Sequence, residues 1–134
     1  MRQTVILVKH ARPQINPTQP AAQWALSEEG RHRCAALAGA LARWQPEIII
    51  SSEELKAAQT AELTARHLDI RWRTSPNLHE HDRSNAPYLA DEAAFQAQIA
   101  ALFAHPDERM FGMESAHEAL ARFSHALDTA LDVA

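Results

Sequence analysis

Two short runs decide what kind of domain this chain can build. Thr4–Val8 is continuously β-branched and apolar, and Ile48–Ile50 repeats the pattern. Both are too short for a helix and apolar on both faces, which predicts buried strands of a parallel sheet. Ile70–Thr74 alternates Ile, Arg, Trp, Arg and Thr, which predicts a half-exposed or edge strand. Helical patterns lie between and after them. Ser27 caps the first, with Glu28 and Glu29 in its opening turn; Cys34, Leu37, Leu41 and Trp44 follow at helical spacing until Pro46. Ser51 or Ser52 is placed to cap a second, with Leu55, Ala58, Ala61, Ala65 and Leu68 as its buried stripe. Asp91 opens a third, with Phe95, Ile99, Leu102 and Phe103 on one side. Ser115 and Glu118 have capping-box spacing ahead of a last helix running through Leu131. This order predicts an α/β fold, a three-layer α/β/α sandwich with a mostly parallel sheet.

The 134 residues suit one domain, and 46% apolar with 22% charged residues is ordinary globular composition. A net charge of −4 gives no global attraction to nucleic acid or to anionic membrane. The apolar run Val5–Val8 is too short for a signal-peptide core, and no stretch is long enough to span a bilayer. The single cysteine, Cys34, forms no internal disulfide and falls on an apolar helix face. A cytoplasmic protein is the expectation.

Three polar clusters follow predicted strand ends, where the functional loops of open parallel sheets lie. Lys9, His10 and Arg12 follow the first strand. A histidine among cations can attack phosphorus while the cations neutralise the phosphoryl oxygens. Ser51, Ser52 and Lys56 follow the second strand, at a helix start that favours anions. Glu80, in LHEHDR, follows the third, where a carboxyl group can protonate a leaving oxygen. Each cluster also has a plainer reading: a solvated loop histidine, a serine cap with an exposed lysine, an acidic loop.

Taken in order, these pieces resemble the histidine phosphatase superfamily, also called phosphoglycerate mutase-like. LVKHARP stands where that family has a strand ending in Arg-His-Gly, and Asn16 lies six residues after the histidine. WALSEEG, SSEELKAAQTAE, LHEHD and GMES match the later blocks in sequence order. The resemblance implies one histidine phosphatase-like domain over 1–134 and hydrolysis of a small phosphate ester without metal or other cofactor. It implies His10 as nucleophile, Lys9 and Lys56 as phosphate-holding catalytic residues, Arg12 and Asn16 as further phosphate-binding residues, and Glu80 as general acid and then base.

Two departures stand out. Lys9 and Lys56 occupy positions where the family usually has arginines, trading a planar fork for a point charge. The family's C-terminal strand and second catalytic histidine have no counterpart, because the chain ends at Leu131-Asp-Val-Ala and His117 and His125 match no family motif. The expectation is a domain lacking its C-terminal part, with unpaired sheet edges that favour self-association into a homo-oligomer. The rival reading within the same fold is a noncatalytic phosphate-binding module. A zinc site built on His79, Glu80, His81 and Asp82 is the rival from another class, but Arg83 stands where H-x-H-x-D-H needs an aspartate.

Overall fold

The computed structural model describes residues 2–132. The elements run α1 (Glu28–Leu41), β1 (Ile48–Ser51), α2 (Leu55–Leu68), β2 (Arg71–Thr74), α3 (Glu92–Ala104) and α4 (Ala116–Asp132). Short 3-10 turns occupy Ala21–Gln23 and Ala42–Trp44. No helix among the described residues is long and apolar enough to cross a membrane.

Helix α1 starts where the serine signal placed it. The Ser27 hydroxyl accepts the Gly30 N–H at 3.0 Å, and Glu28 and Glu29 sit at the positive end of the helix dipole. Its buried residues, Gly30, Cys34 and Ala38, are small and spaced by four, which lets the backbone come close to its neighbours. A Cβ on Gly30 would overlap the Arg12 carbonyl, so glycine is what allows the end of the His10 segment to lie against the helix. Cys34 is fully buried, and burial pushes its thiol up, away from reactivity.

The sheet is a parallel pair, Ile48 opposite Arg71 through Ser51 opposite Thr74, with α2 as the crossover. Helix α2 buries Lys56, Thr60, Ala61, Thr64 and Ala65. That stripe is rotated from the expected one: Leu55 is exposed and a lysine lies inside. The cap is also displaced. Glu54, rather than either serine, occupies the N-cap position, and its side chain makes no capping bond. Asp69 in the left-handed region closes the helix. In α3, Leu102 is buried but Phe103 is 70% exposed, so the predicted stripe is only partly inside. Ser115 and Glu118 form the reciprocal capping box ahead of α4, and Arg73 ties β2 to the Ala130 carbonyl of α4.

The expectation of a buried strand over Thr4–Val8 does not hold. The segment forms no ladder, and Val5, Ile6, Leu7 and Val8 are 39–68% exposed. Its residues favour a strand, but a strand needs an edge to pair with, and the only ladder among the described residues is β1 with β2. The fold is therefore mixed α/β with a small parallel sheet, and the helices supply most of the packing.

Candidate active site

The three polar clusters do converge. Ser75 N–H bonds the Ser51 carbonyl at 2.8 Å, which continues the β1–β2 pairing one step into the loop that leads to Glu80. From α2, Lys56 reaches back to that loop: its Nζ donates to Glu80 Oε1 at 2.7 Å. The lysine side chain is only 3% exposed. The first cluster arrives over the same helix, since the Ala11 N–H donates to Thr60 Oγ1 at 3.0 Å, one turn on from Lys56. His10 is near enough for its charge to act on Glu80.

The tautomer of His10 follows from its neighbour. Its Nδ1 lies 2.7 Å from the Ala11 carbonyl, which only accepts, so Nδ1 carries a proton, and in the neutral ring the lone pair is on Nε2. Glu80 is held as the ion. Burial works against its charge and is the largest single influence. The hydrogen bond and charge of Lys56, with Arg83 and His10, together outweigh it and keep the carboxyl below its usual range.

Lys9, Arg12 and Asn16 do not join this pair. Lys9 and Arg12 line a cleft of about 350 Å³ with His10 and Arg33, and Arg12 is paired with Glu29 at 2.9 Å. Neither makes a hydrogen bond to Lys56 or Glu80. Asn16 organises its own loop: its Oδ1 accepts from the Thr18 N–H and hydroxyl.

Three residues at the site carried no functional signal in the sequence. Glu54 brings a second carboxylate to 3.7 Å from Lys56 and accepts the Glu80 N–H at 3.1 Å. Trp24, whose indole N–H is held by the Asn16 and Gln19 carbonyls, places its ring 5.6 Å from the Lys56 ammonium and meets Tyr88 edge-on. Arg122, from α4, donates to the carbonyls of Asn77, His79 and Glu80 and to the Glu114 carboxylate, so it clamps the loop that carries the acid. All three depend on where a long side chain points, which spacing does not encode.

The zinc alternative meets a different geometry. His81 Nε2 lies 2.7 Å from the Glu114 carbonyl and the Asp82 carboxylate accepts the Ser84 N–H. No group of three candidate ligands gathers among the described residues.

A family model described as histidine phosphatase superfamily, branch 1, matches residues 5–133. A mycobacterial glucosyl-3-phosphoglycerate phosphatase is similar in structure, with TM-score 0.63 and 25% identity over 84% of this chain and 56% of that one. Its complex with vanadate gives 0.69 and 22% over 92% and 62%. A protein described as mycobacterial hydrolase 2 gives 0.68 and 24% over 88% and 53%. The chain thus spans less than two thirds of the length of these structures. They share the phosphoglycerate mutase-like fold. No curated protein matches the chain.

Proposed function

The chain belongs to the histidine phosphatase superfamily, branch 1, and on that premise we propose that it hydrolyses a small phosphate ester through a phosphohistidine on His10. The observation that carries the reading is the buried Lys56–Glu80 pair at 2.7 Å, with His10 close enough for its charge to act on that carboxylate. A neutral imidazole, a cation and a carboxylate are the three parts such a reaction needs.

His10 Nε2 attacks phosphorus, and the bond from phosphorus to the ester oxygen breaks. The Glu80 carboxyl gives its proton to that oxygen, and the alcohol leaves. Water then attacks the phosphohistidine, Glu80 takes its proton back, and phosphate departs with the imidazole restored. The Lys56 ammonium neutralises the phosphoryl oxygens, and Lys9 and Arg12, which line the cleft beside His10, add positive charge at longer range. Glu80 must be protonated for the first step, yet Lys56 holds it ionised in the free site. An incoming phosphate dianion competes for Lys56 and adds negative charge beside Glu80, and both effects raise its proton affinity. Substrate binding thereby arms the acid.

One observation favours a second reading. The Lys56 ammonium is committed to two carboxylates at 2.7 and 3.7 Å, as in a site that binds phosphate without turning it over. Phosphate release from an aryl phosphate in the presence of EDTA separates the two. The phosphatase reading predicts release by the parent chain and loss of at least about a hundredfold in His10→Ala. Saturable phosphate binding with no release by a folded chain would replace it with the binding module.

A further inference from the structure

We propose that Glu54 is a positioning residue of this site: it keeps the Lys56 ammonium and the backbone of Glu80 in place while Glu80 changes its protonation. The inference rests on the phosphatase reading and assigns a part to a residue whose sequence position suggested only a helix-start charge.

Glu54 occupies the N-cap of α2, where a carboxylate ordinarily accepts an N–H from the first turn. It makes no such bond. Its side chain, 11% exposed, turns the other way. Oε2 faces Lys56 Nζ at 3.7 Å, and Oε1 accepts the Glu80 N–H at 3.1 Å and lies 3.3 Å from the Ser52 hydroxyl. The helix forgoes its cap and the site gains a carboxylate.

The chemistry gives that carboxylate a task. Once Glu80 is protonated, it no longer balances Lys56. An almost wholly buried ammonium without an anion is costly, and it would follow Glu80 or draw away from the phosphate. Glu54 is a second anion already in contact. It also fixes Glu80 by its main chain, so the acid stays in register when its side-chain ion pair lapses. Arg122 holds the carbonyl side of the same residue. The charged groups facing Glu80 are thus Lys56 and Glu54 from α2, His10 from the N-terminal segment, Arg83 from its own loop and Arg122 from α4.

Glu54→Gln tests this, because the amide oxygen still accepts the Glu80 N–H while the charge is gone. Three readouts follow: the Glu80 carboxyl titration by carbon-13 NMR, inorganic phosphate affinity by calorimetry, and aryl phosphate turnover against pH. Removing a negative charge lowers the Glu80 titration, tightens phosphate binding about threefold to tenfold and lowers kcat roughly tenfold. The Glu80 limb of the pH profile moves to lower pH. Tighter binding with slower turnover is a split that mere loss of structure does not produce. An unchanged Glu80 titration with unchanged phosphate affinity overturns the proposal, as does weakening of binding and turnover together. Glu54→Asp, which keeps the charge on a shorter arm, should retain the parent Glu80 titration and turn over more slowly; parent-like turnover in this variant also overturns it. The titration and the phosphate affinity need no turnover, so an inactive parent chain would sink the phosphatase reading while Glu54 is still tested.

Discussion

At Glu80 the ion pair with Lys56 and the work of a proton donor pull in opposite directions. The pair also bears on stability. Lys56→Met removes the ammonium that bridges the Glu54 and Glu80 carboxylates. Lys56 is buried but Glu80 is 37% exposed, so solvent screens part of the loss and the cost is about 1–2 kcal/mol; the urea midpoint should fall, and an unchanged midpoint would mean that the pair is not closed in solution. The carboxylates also set an acid limit. Glu80 and Glu114 are held below their ordinary 4.5, and Glu118, hydrogen-bonded to Arg109, goes down to about 2. The unfolded chain therefore binds more protons than the folded one in this range, and stability rises with pH. The contribution is complete above the ordinary carboxylate range and is lost as pH falls below 4.5, through about 2 for Glu118. Glu118 is exposed and its pair with Arg109 is screened by water, so the fall comes mainly from Glu114, Glu80 and Asp82. Thermal melts should be flat above about pH 6 and decline below 4.5; Arg122→Met, by removing the Glu114 partner, should flatten the decline.

Among the elements, the loop that carries Glu80 owes its shape to α4 and to the turn before it. Arg122 closes three of its carbonyls, and Gly112 sits beside it at φ 89° with Asp82 O only 2.5 Å from where a Cβ would stand. Gly112→Ala must shift the loop and adopt a backbone conformation that side chains disfavour, at about 1–3 kcal/mol. Amide exchange in residues 79–83 should accelerate in that variant, and parent-like protection would contradict the packing described. Much of this layer was legible in the sequence. The Ser27 cap, the Asp91 cap and the Ser115–Glu118 box are local hydrogen-bond rules, and the chain obeys them. That Lys56 and Glu80 meet was legible because each follows a strand end, while the roles given to them and to His10 came from the family resemblance. What spacing did not supply was direction: the buried stripe of α2 is shifted to include Lys56, and Glu54 turns its carboxylate inward.

Over the whole molecule, the missing partnerships matter most. Propensity marks Thr4–Val8 as a strand, but pairing is a long-range event, and the segment stays unpaired with Leu7 68% exposed. The core is built largely from small residues, with Leu26 and Leu102 the only large apolar side chains buried among the described residues. Each strand of a two-stranded sheet has a free edge, and free edges beside apolar surface invite pairing with another chain. Sedimentation should therefore show concentration-dependent association, reduced in Leu7→Lys; a monomer at every concentration would contradict this. A phosphohistidine on His10 can be trapped chemically. The chain is mixed with an aryl phosphate, quenched in base within the turnover time, digested and mapped by mass spectrometry. The account predicts one base-stable, acid-labile phosphoryl group on the peptide that contains His10, absent from His10→Ala. Turnover with no phosphoryl group on His10, or with one on another residue, would contradict it.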